Sequence, residues 1–400
     1  MIKTIRDVDF NNKIVLCRVD YNVPIENNEI KDDTRMVESL PTLKFMLDNG
    51  AKLILMSHLG RPKGPDPSKS LRPVAKHLEK LLNQRVVLSN AVTGEETDLY
   101  IQELKEDKFK ILMLENTRFD PGETKNDPQL SQSLAKCADI YVSDAFGTAH
   151  RAHASTEGVS KYLPSYAGFL IEKEYNRITA ALNNPQKPAL AIVGGAKVST
   201  KLEVIEEFIK KMDDIIIGGG MAFTFLKSLG KEVGKSLVEE EMLEKAGLLL
   251  TDANSKGVNI HLPLDIAIAS SFDQPILDGD KAKVVDVDNI PSDTMGLDIG
   301  EKSISQFSSV ISRSNTIIWN GPMGVFEKPY YSKGTIEIAK KVVSRNVSTV
   351  IGGGDTLYAL NVSGITSVSD KIHVSTGGGA SLELMSGIQL PGIACLQGEK

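Results

Sequence analysis

The sequence predicts an α/β fold of open sheets, split into two patterns by a polar helix. Three observations predict it. Short apolar runs of strand length alternate with stretches whose apolar residues recur at helical spacing. These runs end in two kinds of loop: before residue 152 the loops carry arginine or histidine, and after residue 193 they are glycine turns. Between the two patterns lies Glu172–Asn184 (EKEYNRITAALNN), a polar helical stretch closed by Pro185-Gln186-Lys187-Pro188, which reads as an interdomain connector. A chain of 400 residues has room for two or three domains with full cores.

In the first pattern, Lys13–Val19 (KIVLCRV) is a buried strand that runs into the loop Asp20-Tyr21-Asn22-Val23-Pro24. Asp33 is placed to cap a helix that carries Arg35 in its first turns and ends near Gly50. Lys52–Ser57 is the next strand and opens into His58-Leu59-Gly60-Arg61-Pro62. Leu71–Leu82 is an amphipathic helix, followed by strands at Arg85–Leu88 and Ile111–Leu114. The latter delivers Glu115-Asn116-Thr117-Arg118-Phe119. A helix near Asp127–Cys137 precedes the strand Asp139–Val142, which leads to His150-Arg151-Ala152-His153.

Four strand ends thus bear cations: Arg18, His58 with Arg61, Arg118, and His150 with Arg151. Ligands of open α/β sheets bind beyond the carboxyl ends of the strands, so these four predict a basic pocket for a small polyanion. Eight of the eleven arginines lie at or before Arg151, and arginine's planar fork suits carboxylate and phosphate oxygens. His150 and His153 have metal-ligand spacing but lack a Cys or acidic cluster beside them, so no metal is assigned there.

The second pattern opens with the strand Ala189–Val193, the turn Gly194-Gly195, and apolar residues at helical spacing from Val198 to Met212. A helix is therefore expected directly after the turn, with Lys197 and Lys201 on one face and free N–H groups favouring an anion. Asp213–Ile217 runs into Gly218-Gly219-Gly220 and a helix Met221–Leu229. Thr316–Trp319 leads to Asn320-Gly321-Pro322-Met323-Gly324-Val325-Phe326-Glu327. Val347–Ile351 runs into Gly352-Gly353-Gly354-Asp355-Thr356, and Lys371–Thr376 into Gly377-Gly378-Gly379 and a helix Ala380–Ser386. Repeated at strand-to-helix junctions, such turns suggest backbone N–H groups lining one anion site. Asp355, after a glycine run, fits Mg²⁺, which takes one or two protein carboxylates and fills its shell with phosphate and water. It also suits a helix N-cap.

Several classes are disfavoured. A net charge of -6 argues against a general nucleic-acid binder. No apolar run resembles a signal peptide or spans a bilayer, and Cys17, Cys137 and Cys395 are scattered, so a cytoplasmic setting without membrane attachment is expected. No G-x-G-x-x-G occurs, which weighs against a dehydrogenase. Gly230–Ser236 resembles a P-loop but is one residue short and follows a helix, so it reads as a plain loop. A non-catalytic nucleotide-binding module would not need the arginine pocket.

Taken in order, the segments Arg18–Pro24, His58–Pro62, Glu115–Phe119, Ala149–His153, Gly194–Val198, Trp319–Glu327, Gly353–Thr356 and Ser375–Ser381 resemble phosphoglycerate kinase, and the similarity runs the length of the chain. The resemblance implies two doubly wound, Rossmann-like parallel-sheet lobes joined by an interdomain helix and hinge: residues 1–171, joined by 389–400, then helix 172–185, then 186–388. It implies reversible transfer of a phosphoryl group from 1,3-bisphosphoglycerate to ADP, giving 3-phosphoglycerate and ATP, with Mg²⁺ bound alongside the nucleotide. The first lobe would bind its acid through Arg18, Asp20, Tyr21, Asn22, Arg35, His58, Leu59, Gly60, Arg61, Arg118, His150 and Arg151. The second would bind nucleotide through Gly195, Lys197, Lys201, Gly218, Gly219, Gly296, Asn320, Pro322, Glu327, Gly353, Gly354, Asp355 and Thr356, with Asp355 towards the metal. Arg35, Lys197, Gly353, Gly377 and Gly378 would act on the transferred group, in a monomer. Tyr21 stands where the family usually has Phe, Thr200 where Asp is common, and Glu301 where Pro is common.

Overall fold

A computed structural model describes residues 2–273 and 282–397. The chain divides into two compact units, Met1–Tyr175 with Gln389–Lys400, and Asn176–Ile388. Of the C-terminal residues expected to join the first lobe, 398–400 lie outside the described residues.

The first unit contains strands β1 (Ile14–Arg18), β2 (Ile25–Glu26), β3 (Glu29–Ile30), β4 (Lys52–Met56), β5 (Val86–Leu88), β6 (Ile111–Met113), β7 (Ile140–Ser143) and β8 (Ser165–Ala167). Its helices are α1 (Thr34–Asp48), α2 (Arg72–Leu82), α3 (Glu95–Lys105), α4 (Pro128–Ala135) and the start of α5 (Phe169–Asn183). Six strands form one parallel sheet in the order β5-β6-β4-β1-β7-β8, and β2 and β3 form a small hairpin. Helices cover a parallel sheet on both faces, which is why its strands are apolar runs rather than alternating ones. In β1 and β4 every residue but the first is buried. Burying each Leu, Ile or Val side chain contributes about 1.5–3 kcal/mol before chain entropy is counted.

The second unit contains β9 (Ala189–Val193), β10 (Asp214–Ile217), β11 (Asn259–His261), β12 (Asp265–Ala269), β13 (Lys283–Asp286), β14 (Met295–Ile299), β15 (Thr316–Asn320), β16 (Ser348–Gly352) and β17 (Ile372–Val374). Its helices are the rest of α5, α6 (Leu202–Lys211), α7 (Met221–Ser228), α8 (Leu243–Ser255), α9 (Glu301–Arg313), α10 (Lys333–Val343), α11 (Gly354–Val362) and α12 (Gly379–Met385). A last short helix, α13 (Pro391–Ala394), falls in the first unit. The second parallel sheet runs β11-β10-β9-β15-β16-β17, and β13-β12-β14 form an antiparallel sheet.

In both large sheets the first strand has a late neighbour: β1 pairs with β7, and β9 with β15. From each pair the chain winds outward on both sides. The switch point where ligands settle therefore lies at the carboxyl ends of β1/β7 and of β9/β15.

Three local expectations change. The helix expected from Val198 begins at Leu202, and residues 198–201 form a turn, with Lys201 N–H donating to Val198 C=O at 2.9 Å. Val198 is buried and Ser199 is tied to Glu239, which keeps this segment out of the helix. Lys197 and Lys201 thus do not share a helix face. Asp33 stands at the N-cap position of α1 without a side-chain cap bond; its carboxylate meets His77 Nε2 at 2.8 Å, and Asp32 accepts from Thr34 N–H instead. α5 begins at Phe169 and is amphipathic: Ile171, Glu174, Ile178, Ala181 and Leu182 are buried, so its polar composition hides a packed face.

Candidate active site

In the first unit the cations gather where the switch point puts them. Arg18, the last residue of β1, is buried. Its guanidinium donates to Ser155 Oγ at 2.9 Å, to the Val19 and Met56 carbonyls, and to His58 Nδ1 at 3.1 Å. Arginine can only donate, so His58 Nδ1 is the acceptor and the ring's proton sits on Nε2. Burial and then the charges of Arg18, Arg118, Arg151 and Arg35 hold the His58 pKa well below the usual histidine value, so the ring is neutral at pH 7.

The loop after β1 meets the loop after β4. Asn22 Oδ1 accepts from Gly60 N–H at 2.9 Å, and Asp20 Oδ2 accepts from Arg35 Nη1 at 2.8 Å. Tyr21 and Leu59 are buried. The Tyr21 hydroxyl, absent from the family's usual Phe, pairs with Ser39 Oγ at 2.8 Å, so the core accommodates it. Arg118 donates to Gly60 C=O, and Arg151 Nε donates to His150 Nε2 at 3.1 Å. Arg61, Arg118 and Arg151, with Pro62, Thr124 and His153, line a cavity of about 350 Å³ that no carboxylate enters. Burial first, then the charges of Arg151 and Arg18, depress the Arg118 pKa against the opposing pull of Glu123. Burial and the same arginines push His153 down to about 4 against the pull of Glu123, so it too is neutral.

Sequence reasoning missed what supports this face. Glu123 is fully buried and accepts from Ser155 N–H (3.0 Å) and Ser155 Oγ–H (2.6 Å), completing a chain from Arg18 through Ser155. Neither residue belongs to a strand end, and nothing in their local sequence marks them.

In the second unit a cavity of about 520 Å³ opens beside the β9/β15 switch point. Phe223, Leu237 and Val325 give it apolar walls, and Gly195, Gly219, Gly296, Pro322, Glu327 and Asp355 also line it. Gly296 leaves room that Phe223 takes: a Cβ there would lie 2.1 Å from the Phe223 ring.

The expectation that every glycine turn offers N–H groups to an anion is corrected. Gly194 N–H donates to Asn320 C=O, Gly195 to Pro322, Gly218 to Val193 and Gly219 to Met323, at 2.9–3.2 Å. These glycines let three loops touch: a Cβ on Gly194 would lie 2.0 Å from Pro322 O. Gly377 N–H is likewise taken, by Ser375 Oγ at 3.2 Å, and Gly378 follows it at the start of the seven-residue α12. The start of α11 differs. Gly353, at φ +96°, is its N-cap, and Leu357 N–H closes the first turn on Gly353 C=O. The N–H groups of Gly354, Asp355 and Thr356 are then first-turn donors with no intrahelical partner. Asp355 is in this first turn rather than at the N-cap. The Thr356 hydroxyl accepts from Gly321 N–H at 2.7 Å, and Asn320 Nδ2 donates to Gly352 C=O at 3.0 Å, locking α11 to the β15 loop.

Lys197 is exposed on the turn after β9. Lys201 is largely enclosed; burial pushes its ammonium down to about 8 against the nearby charge of Asp355. The Thr200 hydroxyl donates to Lys197 C=O at 2.9 Å, and Glu301 opens α9 and pairs with Lys333, so both departures from the family pattern find local partners. Among the described residues no three His, Cys, Asp or Glu side chains gather as a metal site, and no helix is long and apolar enough to cross a membrane.

The family model described as phosphoglycerate kinase matches residues 5–388. The phosphoglycerate kinase of Thermosipho africanus is 51% identical over 403 residues, covering 99% of this chain and 98% of that one. That of Finegoldia magna is 50% identical over 396 residues, with 98% of each covered. Among solved structures, the phosphoglycerate kinase of Coxiella burnetii superposes with a TM-score of 0.88 at 38% identity, covering 99% of both chains. Likeness of this extent, over a fold with both switch points furnished, means that the chain belongs to the phosphoglycerate kinase family and is a phosphotransferase with a carboxyl group as acceptor.

Proposed function

We propose that the arginine face of the first unit binds 3-phosphoglycerate or 1,3-bisphosphoglycerate, and that the cavity of the second binds ADP or ATP. The observation that carries this is the cavity of Arg61, Arg118 and Arg151 free of any carboxylate, which a nucleotide-binding module alone would not need. In the second unit the slot suits a planar base between apolar walls, and the donors at the start of α11 suit phosphates.

The chemistry needs no general base, because the acceptor carboxylate is already ionised at neutral pH. Neutral His58 and His153 agree with a site that moves no proton. The task is to align and neutralise a loose anionic transition state. Arg35, aimed by Asp20, and Lys197 are the cations assigned to it, and the first-turn N–H groups of α11 are the backbone donors assigned with them. Asp355 lines the cavity at the start of α11, with Asp298 and Glu327 the other carboxylates of its lining, and one such carboxylate fits a cation whose other ligands are phosphate oxygens and water, as Mg²⁺ prefers. Bound there, Mg²⁺ would supply neutralisation of phosphate charge.

Because the two ligands are assigned to separate units, transfer calls for closure once both are bound. Scattering should give a smaller radius of gyration in the ternary complex than in either binary one; equal values in an active enzyme would remove closure from the reading. Three free thiols suit a cytoplasmic setting, and a monomer should appear in gel filtration. The decisive assay is coupled turnover in both directions with 3-phosphoglycerate. Asp355→Asn should weaken Mg-nucleotide use and spare 3-phosphoglycerate binding; equal losses for both ligands would take Asp355 off the metal.

A further inference from the structure

The second unit contains a strip, residues 235–239, that runs from the cavity to the turn carrying Lys197. Lys235 and Leu237 line the cavity. Between them Ser236 Oγ accepts from Gly296 N–H at 2.9 Å, and Lys235 N–H donates to Thr294 C=O at 2.7 Å. At the far end Glu239 is buried, and its N–H donates to Thr224 Oγ1 of α7 at 3.1 Å.

The Glu239 carboxylate crosses to the turn after β9. Oε2 accepts from Ser199 N–H at 3.1 Å, and Oε1 from the Ser199 hydroxyl at 2.5 Å. This is the turn that carries Lys197. At its start Gly194 and Gly195 are bonded to the β15 loop, and beyond them lie the local bonds from Thr200 Oγ1 to Lys197 C=O and from Lys201 N–H to Val198 C=O. Burial opposes the charge on Glu239, but the Ser199 hydroxyl, the Ser199 and Val198 N–H groups and the Lys197 ammonium outweigh it and hold its carboxyl below the usual range. Glu239 therefore does here what a bound anion would do at an open βα turn: it takes the N–H groups and leaves Lys197 as what the turn presents.

We infer that Glu239 is a positioning residue for phosphoryl transfer: it fixes the turn bearing Lys197 and, through the strip lining the cavity, ties that turn to occupation of the cavity. The inference rests on the assignment of Lys197 made above. It explains why the turn is not a helix start, and why an apolar slot and an exposed lysine share one covalent support.

The test uses full-length Glu239→Gln, Ser199→Ala and Lys197→Ala, with the Gln variant also made in the Lys197→Ala background. Glu239→Gln should lower kcat about tenfold or more, since small misplacement of a catalytic group is costly. The Kd for ADP and the KM for 3-phosphoglycerate should hold within about twofold, because neither ligand's binding groups are removed. Ser199→Ala should move kcat the same way by less. In the Lys197→Ala background Glu239→Gln should add nothing. Adenosine, which fills the slot but carries no phosphate, should slow amide exchange across 197–201 in the wild type and not in Glu239→Gln. Wild-type kcat in Glu239→Gln, effects that multiply with those of Lys197→Ala, or exchange blind to saturating adenosine would each overturn the inference. Near-normal kcat in Lys197→Ala would instead overturn the reading beneath it.

Discussion

The two units share a winding scheme and furnish it in opposite ways. Both pair their first strand with a late one, β1 with β7 and β9 with β15, and so both have a switch point at the carboxyl ends of that pair. In the first unit the crevice is filled by long side chains: Arg18 forms a buried floor, and Arg61, Arg118 and Arg151 stand around a cavity. In the second, side chains are cleared away. Gly194, Gly219 and Gly321 bring three loops so close that any Cβ would strike backbone. On the assignment proposed above, the difference follows ligand shape. A small, highly charged acid is best held by cations converging from several loops. A nucleotide needs a flat apolar slot and a phosphate end that only close backbone can build.

The comparison predicts where single substitutions act. Lys197→Ala should give the largest loss, about 10²–10³ in kcat with nucleotide affinity retained, because it removes one preorganised donor to developing charge. Arg118→Ala should act mainly on the other unit's ligand, raising the KM for 3-phosphoglycerate roughly tenfold to a hundredfold, as expected for a lost charged hydrogen bond. Steady-state kinetics varying each substrate checks both. A kcat defect in Arg118→Ala equal to that in Lys197→Ala would erase the division of labour.

A smaller and different effect is expected where the second unit relies on closeness. Gly194→Ala places a methyl 2.0 Å from Pro322 O, so the β9 and β15 loops must part. The cost should be about 1–3 kcal/mol of stability, the usual penalty of overpacking. Denaturant unfolding measures it. Loss of ADP binding with 3-phosphoglycerate binding intact would place the damage in one unit; an unchanged midpoint would show that the loops have slack.

Much of this was legible in sequence, unequally for the two units. Strands such as Ala189–Val193 were legible to the residue because a doubly covered parallel strand is a bare apolar run. The cations at strand ends were legible because side-chain chemistry is written one letter at a time. Glycine turns were legible as turns, but not which N–H groups they leave free; that depends on loops like Gly194 and Pro322 that are far apart in sequence. Helix α6 was placed too early for a similar reason: the apolar period continues through Val198, and only the distant Glu239 holds Ser199 in a turn. The antiparallel sheet β13-β12-β14, which brings Gly296 to the cavity, was missed although β12 is fully buried, because β13 is exposed or half-buried and neither a glycine run nor a cation marks the end of β12.

The smallest expected effect separates the units by their protons. Lys201 is pushed down to about 8 by burial, with Asp355 acting the other way, whereas an unfolded lysine titrates at ~10.4. Between those values the unfolded chain holds a proton that the folded chain lacks, so stability should rise with pH across that window. A phosphate bound beside Lys201 favours its charged form. Nucleotide binding near pH 8.5 should therefore take up a fraction of a proton. Among the described residues of the first unit's arginine face no such group stands. Its arginines stay charged, and His58 is depressed by burial and by those arginines, so it is neutral far below that pH. Binding of 3-phosphoglycerate at the same pH should take up no proton. Calorimetry in two buffers of different ionisation heat reads the proton count directly, and Lys201→Met should abolish the nucleotide's uptake. Equal uptake for both ligands, or uptake surviving in Lys201→Met, would show that the titrating group lies elsewhere and that the units are not chemically distinct in this respect.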